Sequence, residues 1–223
     1  MSETASRDAE PASVEAGGGN NPYVSRWARK YELILRVPPI AQIRASEERT
    51  LRNLLDLTLR PTDTLLEIGP GTGRATVEFA RRVAQVTAVE QAPQMVEQLE
   101  RRLHHTHLHN CHVITGDFME VPFPHPFDVV ALIGVLDYIP EPEPFIRRAA
   151  ELARRALIFT TPHCGVLAKV HRGTNRLRGV RISTYNAQQL ESYLTQFDLD
   201  VRETGLRTRL WRGMTLACRA VRK

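Results

Sequence analysis

Cysteine is scarce in this chain, and the three that occur, Cys111, Cys164 and Cys218, are odd in number and far apart. That excludes a disulfide framework or a zinc knuckle and predicts reduced thiols in a cytoplasmic protein. No apolar run approaches the roughly 20 residues that a membrane span requires. The N-terminus has no basic stretch followed by an apolar one, so no secretory signal is expected. Lysine is nearly absent, at Lys30, Lys169 and Lys223, and the formal net charge of +5 is carried by arginine. Such a balance fits an acidic substrate, an acidic partner or nucleic acid without selecting among them, and it argues only weakly for binding a phosphate backbone. The remaining composition, 42% hydrophobic and 25% charged over 223 residues, is that of an ordinary globular domain with a substantial core.

Residues 1–21 are small, polar and Gly-rich and hold almost nothing to bury, which predicts a disordered tail. Residues 22–60 read as N-terminal helices divided by Pro38-Pro39, with an apolar stripe through Ile40, Ile43, Leu51, Leu54, Leu55 and Leu57. From Thr64 the period changes. Thr64–Ile68, Val86–Val89, Val113-Ile114, Phe127–Ile133 and Ala156–Thr160 read as short strands, and Thr76–Val83, Pro93–Leu103 and Pro144–Ala153 as the helices between them. This alternation predicts a doubly wound α/β sheet. Residues 162–185 form a basic loop. Residues 186–223 follow with a helix over Asn186–Phe197 and strands at Leu199–Glu203 and Met214–Val221. The absence of a helix between those last strands predicts a hairpin, with one antiparallel strand closing a parallel sheet. Residues 22–223 thus read as a single domain.

Four motifs carry chemistry. The first, Glu67-Ile68-Gly69-Pro70-Gly71-Thr72-Gly73, leaves a strand and opens a helix. Its glycines allow a positive φ and a close approach of backbone to ligand. The spacing is G-x-G-x-G, not the dinucleotide G-x-G-x-x-G. An acid two positions before the first glycine would repel a pyrophosphate, but suits a ligand with an ammonium and a sulfonium, such as S-adenosylmethionine (SAM). The alternative is a tight strand-to-helix turn with no ligand. The second motif is Glu90, about twenty residues on and at a strand end, where an acid receives both hydroxyls of a ribose; alternatively it is a surface glutamate. The third is Gly116-Asp117-Phe118, where Asp117 either accepts from an adenine amine or is ordinary turn chemistry. The fourth runs from Phe127 to Pro140.

With these motifs in order over Thr64–Thr161, the chain resembles the class I SAM-dependent methyltransferases, in particular the small-molecule branch that includes ubiquinone- and menaquinone-type biosynthetic enzymes. The resemblance implies a Rossmann-like fold, a seven-stranded, mostly parallel sheet with one antiparallel strand and helices on both faces. It implies a SAM-binding core over 61–161 with the cofactor across the carboxyl ends of the strands. It assigns Glu67, Gly69, Gly71 and Gly73 to the methionine part, Glu90 to the ribose and Gln91 to a place beside the adenine. Asp117 and Phe118 would define the adenine pocket, and Leu132 would pass beneath the sulfonium. Tyr23 resembles the N-terminal aromatic residue that closes over SAM in relatives.

The chain departs from its relatives in the fourth motif, where they commonly carry an acidic residue and a His and this chain has Gly134 and Tyr138. Tyr138 and His163 are the candidates for a base, His163 alternatively being a loop residue without a role. Methyl transfer needs little acid–base help when the reactants are held in line, so a missing His does not exclude an enzyme. The cluster His104, His105, His107, His109 and His112 lacks fixed ligand spacing, and no metal site is expected. The basic stretch Lys169–Arg181 either reads an anionic group on the substrate or is a solvated loop. The resulting expectation is in-line transfer of a methyl group from SAM to a small-molecule acceptor, an acidic one fitting the basic loop, at oxygen. Nucleic acid is not expected as a partner, because no RNA-binding module and no Asn/Asp-Pro-Pro-aromatic signature follows the fourth strand. An RNA methyltransferase and a non-catalytic SAM-binding module stand as the alternatives.

Overall fold

The computed structural model describes residues 51–139, 141–162, 192, 194–196, 199–204 and 215–222. Expectations for the N-terminal tail, Tyr23, His163 and the basic loop therefore lie outside the described residues. Residues 51–58 are helical (α1). There follow β1 (Thr64–Ile68), α2 (Arg74–Ala80), β2 (Gln85–Glu90), α3 (Pro93–His105), β3 (Cys111–Thr115) and β4 (Phe127–Leu132). A 3-10 turn at Leu136–Tyr138 leads to α4 (Pro142–Leu152), β5 (Ala153–Pro162), β6 (Leu199–Thr204) and β7 (Thr215–Arg222). The seven strands form one sheet in the order β3-β2-β1-β4-β5-β7-β6. Strands β1 to β5 pair in parallel, and β7 runs antiparallel to both β5 and β6. The expected Rossmann-like sheet with its closing hairpin is the one observed.

Strands β1 and β4, and β5 from Ala156 to Thr160, are buried on both faces, which is why they read as continuous apolar runs and not as alternating ones. Leu65 and Leu66, adjacent in β1, are both fully buried, but against opposite layers. Leu66, Ile68, Val130 and Leu132 meet α4 through Phe145, Ile146, Ala149 and Ala150. Leu65, Val129, Ala131 and Ile158 meet Leu54 and Leu55 of α1 and Phe79 of α2. Helix α3 buries Met95, Val96, Leu99 and Leu103, starts at a proline and has Arg102, His104 and His105 in its last turn. All three basic groups suit the negative end of the helix dipole. Among the described residues no helix is long and apolar enough to cross a membrane.

Several boundaries differ from the periodicity, those of two helices among them. The helix expected over Thr76–Val83 begins at Arg74 and stops at Ala80. The Asn110 side-chain amide donates to the carbonyls of Ala80 at 2.8 Å and Val83 at 3.1 Å, taking over acceptors that a longer helix would use. The helix expected from Pro144 starts at Pro142, and Ala153 leaves it to pair with Phe127 in the sheet. At the opposite end of the sheet from the glycine loop, Thr64 donates its N–H and hydroxyl to Asp128, at 2.8 and 2.9 Å. These bonds, the backbone one first, hold the Asp128 carboxyl below its ordinary range.

Because Phe79 is fully buried between α2 and the sheet, Phe79→Ala should cost about 3–5 kcal/mol in urea unfolding. Leu57→Ala, at a residue 62% exposed, should stay within about 0.5 kcal/mol of the parent protein. Equal losses in the two variants would contradict the layer assignment.

Candidate functional site

In an open sheet of this kind the strand order reverses between β1 and β4, and the crevice beyond the carboxyl ends of those strands is where ligands bind. The loop after β1 sits there. Gly69, Gly71 and Gly73 have φ of +65°, +56° and +79°, the left-handed region in which a Cβ is strained. Gly69 donates its N–H to the Val89 carbonyl at 2.9 Å, and Gly73 closes a turn onto Pro70 at 3.0 Å. A Cβ at 69 would lie 2.7 Å from a methyl of Val135, and one at 73 would collide with Leu99 of α3. At Gly71 a Cβ would meet no protein atom within 4 Å, so this glycine faces open space.

The two site glutamates differ in their surroundings. Glu90, at the end of β2, accepts the N–H of Gly71 on one carboxyl oxygen and that of Ala92 on the other, both at 3.0 Å. Glu67, at the end of β1, is 1% exposed, and its Oε2 has no hydrogen-bond partner. Burial pushes its carboxyl up to about 8, with the charge of Glu90 adding to the effect and the Thr76 hydroxyl opposing it. That hydroxyl acts on Glu67 by proximity, since it too lacks a partner of proper hydrogen-bond geometry.

Gln91 is exposed beside Glu90. Asp117 is exposed after β3, and its Oδ1 accepts the Met119 N–H at 2.8 Å. The Phe118 ring turns inward. It is 4% exposed, meets Phe145 edge-on at 4.9 Å and carries the Arg148 guanidinium at 5.3 Å from its centroid. Any contact of Phe118 with a ligand would therefore come from its backbone or ring edge. Leu132 ends β4 with its side chain buried in the same cluster. Tyr138 lies half-buried in the 3-10 turn just beyond, its N–H bonded to Val135.

The structure thus brings Glu67, the three glycines, Glu90, Gln91, Asp117, Leu132 and Tyr138 to the carboxyl edge of the sheet, with Phe118 beneath it. It also supplies positions that carry no motif. Arg102 of α3 donates to the Thr72 carbonyl at 2.7 Å and clasps the glycine loop from outside. Thr160 of β5 accepts the Gly134 N–H at 2.8 Å, and Gly134 has φ +71° and faces open space. A glycine directly after a strand was a legible signal; Arg102 and Thr160 had none, since only the fold brings them near. The histidine cluster lies on the end of α3, the following turn and β3. Among the described residues no group of three or more His, Cys, Asp or Glu is placed to hold a metal ion.

Residues 65–157 match the model of a family described as a methyltransferase domain. Among solved structures, magnesium protoporphyrin IX methyltransferase from Synechocystis with bound S-adenosylhomocysteine (SAH) is similar, with a TM-score of 0.75 at 20% identity. The match covers 91% of this chain and 97% of that one. Among curated proteins, the chain is 42% identical over 72 residues to a dimethyladenosine transferase of Kluyveromyces lactis, covering 32% of this chain and 22% of that protein. It is 44% identical over 73 residues to a mitochondrial ribosomal RNA small subunit methyltransferase of Arabidopsis thaliana, covering 32% and 19%. The chain therefore spans about a fifth of the length of these curated relatives. The matched segment thus resembles a methyltransferase domain, and the similar Synechocystis enzyme holds SAH.

These relatives correct one expectation. Nucleic acid was not expected as a partner, yet the curated proteins that this chain matches are named for dimethyladenosine and ribosomal RNA. The reason is physical. The absent base-flipping signature concerns the acceptor side, whereas the cofactor loop is compatible with either kind of acceptor.

The glycine geometry separates two substitutions. Gly71→Arg adds its side chain to open space, so it should cost only the roughly 1–2 kcal/mol of a left-handed residue while abolishing SAM binding in calorimetry. Gly73→Ala should destabilise more, roughly 2–4 kcal/mol, because it also crowds Leu99. A Gly71→Arg protein that binds SAM as the parent does would refute this placement of the cofactor.

Proposed function

We propose that this protein transfers the methyl group of SAM to an acceptor presented above the carboxyl ends of β4 and β5. The observation that carries this reading is the pairing of an orphaned, buried Glu67 oxygen with a glycine loop whose middle member faces open space. Bound there, SAM would supply an electrophilic methyl group on a positively charged sulfur, for transfer to the acceptor with SAH as the leaving group. In this reading Glu67 and Gly69, Gly71 and Gly73 hold the amino-acid end. Glu90 keeps lone pairs for the ribose hydroxyls beyond its two backbone bonds, since a carboxylate has about four acceptor sites. Gln91 and Asp117 flank the adenine, Phe118 supports it from below, and Leu132 forms an apolar floor under the sulfonium. Tyr138, in the 3-10 turn after β4, is the candidate base, with His163 as a further candidate from the sequence and Tyr23 as the aromatic residue to close over SAM.

The first reading of the acceptor is a small molecule. It is supported by the likeness in fold to the magnesium protoporphyrin IX enzyme over nearly the whole of both chains. The second is an adenine of RNA, favoured by the identity to the dimethyladenosine and ribosomal RNA methyltransferases. The expected preference for oxygen finds no support in any of these names and is not carried into the proposal.

The full-length protein incubated with methyl-labelled SAM should label one of two fractions of a cell extract, its low-molecular-weight acids or its RNA, with Glu90→Ala reducing the label at least tenfold. Label in RNA that survives protease and is lost with ribonuclease would establish the second reading. Undiminished SAM affinity in Glu90→Ala would overturn the assignment of the site.

A further inference from the structure

Glu67 presents a problem that the reading of the site as one for SAM does not by itself resolve. Its side chain is 1% exposed with Oε2 unpartnered, and an ionised carboxylate in such a place is strongly disfavoured unless something compensates it. The described groups around it do not. From the end of β2 comes a second carboxyl, Glu90, whose charge opposes ionisation. From α2 comes the neutral hydroxyl of Thr76. From β4 the paired residue is Ala131. From β3 comes Cys111, whose thiol is pushed up to about 12 by burial and by the charge of Glu67. Among the described residues no cation acts on the Glu67 carboxyl, while Gly71 in the loop it precedes opens onto the crevice.

We propose that Glu67 is held as a neutral acid in the empty protein and gives its proton to solvent when the α-ammonium of the cofactor enters beside it. The inference rests on the SAM reading above and extends it to the coupling of cofactor binding with protonation. The balance is simple. A carboxylic acid and an incoming ammonium become a carboxylate–ammonium pair, and one proton passes to the buffer. No covalent bond of the cofactor changes.

The sign follows from linkage. The pairing lowers the pKa of Glu67 in the complex, so the complex binds fewer protons than the separated partners, and affinity rises with pH until Glu67 is already ionised in the empty protein. With the carboxyl pushed up to about 8 when empty, the dependence falls in the neutral and mildly acidic range. An ordinary surface glutamate would show none there. Below pH 7 the ligand's own α-amino group, with a pKa of roughly 7.7–8.0, stays protonated and does not contribute.

The test is calorimetry of SAH binding to the full chain at pH 6.5 in buffers of low and high ionisation enthalpy. Close to one proton should be released per SAH bound, and the dissociation constant should weaken nearly tenfold from pH 7 to pH 6. Glu67→Gln should bind SAH with no proton release and little dependence on pH. 5′-Methylthioadenosine, which lacks the amino-acid end, should bind the parent protein without releasing a proton. That arm needs no variant, so it decides the matter even if Glu67→Gln does not fold. SAH binding with no buffer-dependent heat, or equal proton release with 5′-methylthioadenosine, would overturn the proposal while leaving the SAM site intact. A protein that binds SAH at no pH would instead remove the SAM reading and this proposal with it.

Discussion

The Glu90 carboxyl receives the backbone N–H groups of Gly71 and Ala92, each at 3.0 Å, and so joins the loop after β1 to the turn that opens α3. Charge-assisted hydrogen bonds of this kind contribute roughly 1.5–3 kcal/mol each, and they fix a loop whose glycines would otherwise be free to adopt many conformations. The loop has further fasteners. Arg102 holds the Thr72 carbonyl, Leu99 fills the space against Gly73, and Gly69 is bonded to β2 through Val89. A ligand meeting this loop finds backbone groups already ordered, which lowers the entropic cost of binding.

Two glutamates of the same site are thereby placed in opposite electrostatic conditions. Glu90 is satisfied by backbone donors, and Glu67 is buried with an oxygen that has none. Such a difference in surroundings lets a protein divide labour between chemically identical groups. The nearness of Glu90 is itself one reason why Glu67 resists ionisation.

The loop after β1 also touches the segment after β4. Val135, in the segment after β4, packs so closely on Gly69 that no side chain fits between them, and Thr160 of β5 fixes Gly134 just before it. The glycine loop and the segment after β4 are therefore one packed unit. The relatives differ along the same division. High identity is confined to about a third of the chain, whereas likeness in fold extends over 91% of it at 20% identity. A fold tolerates many sequences that keep its apolar pattern, while a bound cofactor constrains individual residues.

The order of strands and helices was legible in the sequence because each strand buried on both faces is a short apolar run, and each helix carries a 3.6-residue stripe. The glycine loop with Glu67, and the acids Glu90 and Asp117 after it, were legible because a tight strand-to-helix turn needs glycine, and polar groups at strand ends are rarely needed for packing. What remained hidden depends on contacts between residues far apart in the chain. Asn110 ends α2 from 27 and 30 residues away. Arg102 reaches Thr72 across 30 residues, and Thr160 reaches Gly134 across 26. The inward turn of the Phe118 ring was set by Phe145 and Arg148. The sequence by itself determined the sheet, its closing hairpin and the location of the cofactor loop, since these follow from local pattern. Only the tertiary structure decided that Glu67 lies buried with an unpartnered oxygen while Glu90 is satisfied, because burial and hydrogen-bond supply are properties of the packed surroundings and not of the residue.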